Sequence, residues 1–355
     1  DQETLAMTKS IAINGMMLKL RNSIVLDKHC SGGVPGNRTT MIVVPIVAAA
    51  GFIIPKTSSR AITSPAGTAD TVEVLTNVSL SKQKIKQVIR KTNGCLVWGG
   101  GMRLASADDK MIKVRFPLNL DPEGLLLSSI LAKKVAVGAT HLLADLPIGP
   151  DTKLKTLKQG KQLRNKFVSI CKKLGIKLKV ILTDGSQPIG NGIGPVLEAR
   201  DVLWLLQNDK RAPADLKEKS VMMAGMLLEM AGKKQGKQLA REILESGKAY
   251  KKFCDIIKAQ GGKTPQINRL TPGKYFSHIN ADKQGKIGYI DCKSISKIAR
   301  LAGAPKTKSA GIYLYKHVGD DVVRGEKLFT LYSESREKLK EALACYKDSR
   351  CFVIG

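Results

Sequence analysis

Acidic residues are scarce in this chain of 355 residues: 30 Asp and Glu stand against 59 Lys and Arg, a formal charge of +29. Aromatic residues are scarce as well, at 5% of the chain, which leaves the basic excess without an evident stacking platform for nucleic-acid bases. The lysines are spread over amphipathic stretches at 81–91, 153–179 and 233–252 rather than gathered into one patch. That pattern suits small anionic substrates better than a nucleic acid, because a phosphate group needs only a few local donors. No long hydrophobic run is present either. The longest, residues 41–54, is broken by Pro45 and Gly51 and falls short of the roughly 18–20 residues that cross a bilayer, so no transmembrane helix is expected. The seven cysteines (Cys30, Cys95, Cys171, Cys254, Cys292, Cys345 and Cys351) include no C-x-x-C pair, which argues against a disulfide framework and a zinc ribbon. The opening Asp1-Gln2-Glu3 carries neither an initiating Met nor a signal-peptide pattern. The expectation is a cytoplasmic protein cut short at its N-terminus.

What is present is enough apolar material, 43% of residues, for two or three packed units. Hydrophobic periodicity predicts helices at 3–19, 41–50, 81–91, 125–137, 196–206, 217–230 and 236–244, and short apolar strands at 23–26, 52–55, 95–98, 141–146 and 177–183. Strands and helices in alternation imply a mixed or parallel sheet covered by helices. After Gly261 the segments become short and alternate between Gly, Pro and Asp, the mark of a separate α+β domain. Residues 311–328 resemble the hairpins of lipoyl-type sandwich domains, with no lysine at a hairpin tip, and are read as structural.

Three loops within the first 70 residues are dense in small hydroxyl and glycine residues: 27–40, 56–60 and 61–70. Gly32 and Gly33 let backbone N–H groups approach an anion, Thr40 opens a helix whose first turn is partially positive, and Lys28 adds a full charge. Each loop alone is explained by an ordinary turn with a helix cap; together they point to phosphate binding. The spacing matches neither the P-loop nor the dinucleotide fingerprint.

Asp27-Lys28-His29-x-Ser31-Gly32-Gly33-Val34 and the run Pro55-Lys-Thr-Ser-Ser-Arg-Ala-Ile-Thr-Ser-x-Ala-Gly-Thr68 resemble the thymidine phosphorylase family, most closely its second subfamily, which includes the archaeal AMP phosphorylases. The likeness continues through Leu120-Asp-Pro-Glu-Gly124, Ser129-Ile-Leu-Ala-Lys-Lys134 and Thr183-Asp-Gly-Ser-Gln-Pro-Ile-Gly190 and covers nearly the whole chain. It implies a small helical base-binding domain, partial here (1–21 and 116–138), hinged to a large mixed-sheet α/β phosphate-binding domain (22–115 and 139–262), followed by an α+β C-terminal domain (263–355). Hinges are expected near Asn22, at 113–117 and at 138–140.

By the same resemblance, Lys28, Gly33, Thr40, Ser58 and Thr68 contact phosphate. Ser59, Arg60, Ala61, Ile62, Thr63, Ser64 and Lys153 contact the nucleotide, and Arg115, Ser129 and Lys133 read the base. Ser129 and Lys133, four apart, share one helix face. His29 and Asp121 are the catalytic candidates. Asp121, just before Pro122-Glu123, is equally a helix N-cap and an acid for a departing purine, a task that requires a raised pKa. Cys30 offers only a weak thiol donor, and the 185–194 loop is explained equally by a plain turn. The activity implied is phosphorolysis of an N-glycosidic bond, with thymidine as first substrate and AMP as alternative. The rival of another class is a non-catalytic phosphate- or nucleic-acid-binding protein. Inorganic phosphate is a co-substrate, no metal or organic cofactor is expected, and a homodimer forms when the N-terminal helices are present.

Overall fold

The computed structural model describes residues 2–18, 20, 24–100, 123–349 and 351–355. Its centre is a parallel sheet built from β1 (Leu26–Cys30), β2 (Ile54–Ser58), β3 (Gly94–Trp98), β4 (His141–Ile148) and β5 (Lys177–Asp184). Parallel ladders join β1 to β4, β4 to β5 and β2 to β3. A parallel bridge between Val25 and Ile53, with the Leu26 N–H donating to the Ile53 carbonyl at 2.8 Å, connects the two groups. The order is therefore β3-β2-β1-β4-β5. The chain steps outward from β1 to β3 and then returns to the other side of β1. Such a reversal opens a crevice beyond the C-terminal strand ends, the usual ligand position in open α/β sheets.

Helices cover both faces. α2 (Thr39–Ala49) is buried from Thr39 through Ala48, which is why it shows no polar face. It packs against α8 (Ala214–Met230) and α10 (Lys248–Ala259). α3 (Thr68–Glu73) is one short turn beyond β2. α4 (Lys82–Thr92) buries Ile85, Val88 and Ile89; Ser81 caps its start and left-handed Asn93 ends it. α1 (Gln2–Ile13) lies on α5 (Glu123–Val137), with Ile11 and Ala12 against Ala132. α6 (Leu157–Lys173) covers β5, and α7 (Pro195–Leu206) and α9 (Gly236–Glu245) complete this part.

The C-terminal region places β7 (Tyr275–Asn280), β9 (Gly311–Leu314) and β11 (Lys327–Ser333) in an antiparallel sheet of order β6-β9-β11-β7, whose β6 (Gly192–Ile193) comes from the preceding α/β part. β8 (Gly285–Ile290), β10 (Asp321–Val322) and β12 (Phe352–Ile354) form a second sheet, with α11 (Cys292–Leu301) and α12 (Arg336–Ser349) alongside. Ile193, Ile312 and Phe329 are fully buried in their shared core.

Three predicted boundaries are corrected. The strand expected at 23–26 runs from Leu26 to Cys30, so Lys28 and His29 lie on the strand and not on the loop. The strand expected at 52–55 runs from Ile54 to Ser58. In both, charged residues read as loop are interior strand positions, tolerated because partners distant in sequence neutralise them. The helix expected at 3–19 stops at Ile13, where Asn14-Gly15 breaks it. β5 is an edge strand none of whose residues is buried. No described helix is long and apolar enough to cross a membrane.

Candidate active site

Lys28 and Lys56 leave neighbouring parallel strands and are both buried. The Lys28 ammonium donates to the Thr39 hydroxyl at 2.8 Å, at the start of α2, and lies 3.8 Å from the Asp145 carboxylate on β4. Lys56 donates to the Lys28 carbonyl and lies 3.6 Å from Asp27, whose second oxygen is paired at 2.6 Å with Lys134 of α5. Asp145 also takes Lys219 of α8 at 3.5 Å and the Thr183 hydroxyl at 2.6 Å. Four ammoniums thus face two carboxylates in one buried cluster, which retains positive charge in excess.

That excess appears in the proton affinities. Burial, opposed by Asp145 and aggravated by Lys219, lowers Lys28. Burial and then Lys134 lower Lys56 to about 7, against the pull of Asp27. His29, half-buried beside them, is pushed well below the usual imidazole range by burial and then by Lys134, Lys56, Lys28 and Lys133. At neutral pH it is a neutral imidazole that can donate a hydrogen bond but holds no spare proton. Burial raises the Cys30 thiol, which keeps it unreactive.

Beside this cluster the hydroxyl oxygens of Ser31, Thr57 and Ser58 are buried and have no hydrogen-bond partner among the described residues. Buried hydroxyls without partners are costly, and three of them next to surplus ammonium charge form a donor set suited to an oxyanion. Gly33 explains the loop's approach: it has φ +94°, and a Cβ there would lie 2.8 Å from the Thr152 Cα and 3.3 Å from the Lys153 nitrogen. The β4 loop is thereby pressed against the β1 loop, which brings exposed Lys153 to its edge. Ile189 N–H donates to the Pro35 carbonyl at 3.1 Å, so the 185–194 loop buttresses the same turn. Arg38 is tied by its guanidinium to Glu198 of α7 and to the Ala66 carbonyl, the latter at 2.6 Å.

The segment from Ser59 to Ser64 is folded back on α3. Ala61 and Gly67 N–H groups both donate to Asp70, at 2.7 and 2.9 Å, and Ala69 N–H reaches the Ser59 carbonyl. Arg60 stacks over Trp98 at 4.7 Å and pairs with Asp70 and Glu73; Glu73 is held down at about 2, by Arg60 first. Ile62 is exposed, its carbonyl accepting from Arg300 at 2.8 Å, and the Ser64 hydroxyl donates to Ala66. Thr63 lies between them, and Thr68 is the first residue of α3. Thr40 follows Thr39 in the first turn of α2; Thr39 makes the lysine contact.

On α5, Ser129 is buried and accepts from Lys133 at 3.5 Å. Lys133 and Lys134 both act on His29, so α5 meets β1 at that imidazole. Arg115 and Asp121 lie outside the described residues, as do Asn22 and 113–117. Lys56, Lys134, Lys219, Asp27 and Asp145 escaped the sequence reading. Their signal was a charge set within apolar neighbours, as in Leu143-Ala144-Asp145-Leu146.

Residues 22–250 match the model of the glycosyl transferase family, a/b domain, and residues 286–351 match the pyrimidine nucleoside phosphorylase C-terminal domain. The chain belongs to the glycosyl transferase family. Its pairing of this α/β domain with the phosphorylase C-terminal domain marks a pentosyltransferase. A Legionella pneumophila (strain Corby) protein named "Putative thymidine phosphorylase" is 50% identical over 355 residues, 99% of this chain and 68% of its own. The AMP phosphorylase of Methanocaldococcus jannaschii is 49% identical over 344 residues, 96% of this chain and 68% of its own. Among solved structures, anthranilate phosphoribosyltransferase from Thermus thermophilus matches with a TM-score of 0.61 at 19% identity, over 73% of this chain and 84% of that one. The Saccharomyces cerevisiae enzyme, at 0.57 and 15% over 72% and 79%, shares the glycosyl transferase fold.

Proposed function

We propose that this glycosyl transferase carries out phosphorolysis of thymidine, giving thymine and 2-deoxyribose 1-phosphate. The observation that carries the reading is the buried cluster in which four ammoniums face two carboxylates beside the Ser31, Thr57 and Ser58 hydroxyls. A phosphate dianion there balances the charge and accepts the hydroxyl hydrogen bonds. It is also delivered to the strand ends at the sheet's switch point, where it meets C1′ of a pentose bound against α5. Positioning the nucleophile and stabilising the leaving base are the main catalytic tasks. Neutral His29 fits the second task for a pyrimidine, which departs as a delocalised anion and needs hydrogen bonds rather than a full proton.

A second reading, AMP as substrate, is favoured by Lys153 at the edge of the Gly33 turn, where an ammonium can meet a second phosphate group. On that reading a purine leaves and Asp121 supplies the proton. No organic cofactor or metal takes part in either. The test is base release from thymidine, uridine and AMP, each with and without inorganic phosphate. Phosphate-dependent thymine release with no turnover of AMP supports the first reading, and the reverse supports the second. Salt-sensitive retention on DNA without any release would defeat both.

A further inference from the structure

Asp27 stands where three elements of the site cross. It belongs to β1 beside Lys28 and His29, its carboxylate reaches Lys56 of β2 next to Thr57 and Ser58, and its other oxygen holds Lys134 of α5 at 2.6 Å. Both members of the last pair are almost wholly shielded from water, with side-chain exposures of 2% for Lys134 and 0% for Asp27. Lys134 follows Lys133 directly and lies in the last turn of α5. The chain then fixes that turn twice more: Ala139 N–H donates to the Lys134 carbonyl at 2.9 Å and Leu18 N–H to the Ala136 carbonyl at 2.8 Å. Next comes Gly138, at φ +75°.

A buried ion pair is a poor stabiliser compared with apolar residues of the same volume, because both charges lose their hydration. Its geometric effect is stronger, since a lysine with no access to water has few other places to put its charge. We propose that Asp27 and Lys134 are positioning residues whose ion pair locks the C-terminal turn of α5 to β1 and so sets the base-reading Ser129 and Lys133 against the phosphate strands. The latch makes this end of α5 move with the sheet, leaving any closure of the cleft to the opposite end of the helix.

This inference rests on the phosphorolysis reading, and two readouts on the full chain separate their fates. The first is steady-state base release by Lys134→Met, Lys134→Arg and the double variant Asp27→Asn/Lys134→Met, varying nucleoside and phosphate separately. Lys134→Met is expected to raise the nucleoside KM and lower kcat by roughly tenfold, and the phosphate KM rises as well because one of the four ammoniums of the cluster is removed. Lys134→Arg restores the nucleoside KM. The double variant leaves no buried charge unpaired between these two positions, although Lys56 loses its carboxylate neighbour, so it regains part of the melting temperature lost in Lys134→Met but keeps the raised KM, a split that a purely structural pair does not give. The second readout needs no turnover: hydrogen exchange of the amides in the last turn of α5 is expected to quicken by roughly tenfold in the double variant. If the parent releases no base, the phosphorolysis reading falls and exchange alone decides the latch. A folded double variant with the parent's nucleoside KM, or with the parent's exchange in that turn, overturns the proposal.

Discussion

Lys56 shares its surroundings with Lys28, Lys134 and one carboxylate, and burial is the leading reason that its ammonium is lowered to about 7. An anion entering the cluster favours the charged form, so binding draws a proton onto Lys56 and affinity weakens as pH rises through 7. Sulfate, whose charge is constant in this range, separates that effect from phosphate's own titration. Its dissociation constant is expected to rise by roughly tenfold between about pH 6.5 and 8.5, with proton uptake visible by calorimetry in buffers of different ionisation enthalpy. Lys56→Met should flatten the dependence; a flat profile in the parent chain would sink the assignment. Without an anion the sign reverses. The folded lysine is lowered, so the unfolded chain binds more protons between about 7 and 10.5, and this group's destabilising effect, complete below about pH 7, fades as pH climbs.

At the scale of elements, the turn ahead of α2 is held by Glu198 of α7. This buried carboxylate accepts from Arg38 ahead of α2, from the Thr71 hydroxyl of α3 at 2.7 Å and from the Gly194 N–H at 3.2 Å. Three segments distant in sequence thus converge on one side chain. Glu198→Gln keeps the shape but leaves the Arg38 guanidinium uncompensated, and its expected cost is about 3–5 kcal/mol. Urea unfolding measures it, and a loss below about 1 kcal/mol, the range of an exposed pair, would show that Arg38 finds another partner. Asp201, three residues on along the same helix, is raised by burial to about 7 although it accepts from the Asn191 and Gly192 N–H groups.

Across the whole molecule, the C-terminal part is stitched into the α/β part. β6 pairs with β9, Val196 N–H donates to the Lys308 carbonyl, Lys308 lies 2.9 Å from Glu73, and Arg300 reaches Ile62. The segment from Ser59 to Ser64 therefore takes part of its support from a domain with its own core. A chain truncated after Gly262 loses the cover over Ile193 and exposes the β6 edge, a ready site for strand pairing between copies. Size-exclusion chromatography is expected to show aggregates. A monodisperse truncated chain that still binds sulfate would mean that the two parts are independent.

The order of helices and strands was readable in the sequence because it follows from local period and capping: α4 from its 3.6-residue spacing after Ser81, α2 from its unbroken apolar run, β3 and β4 from short apolar stretches. The density of glycine and hydroxyl residues in the early loops was readable too, and it marked the stretch where the structure buries the Ser31, Thr57 and Ser58 hydroxyls. Strand boundaries at β1 and β2 were not, because Asp27, Lys28 and Lys56 look like loop residues until their partners are known. Those partners include Lys134 and Asp145, scores of residues away, and only the parallel order β3-β2-β1-β4-β5 brings them to one place. Gly33 shows the same division: its glycine was a local signal, but that Thr152 and Lys153 are what it makes room for depends on β4 lying beside β1. The sequence by itself determined most of the elements, since these depend on near neighbours; the charge balance of the site arises from contacts between distant segments and was decided by the tertiary structure alone.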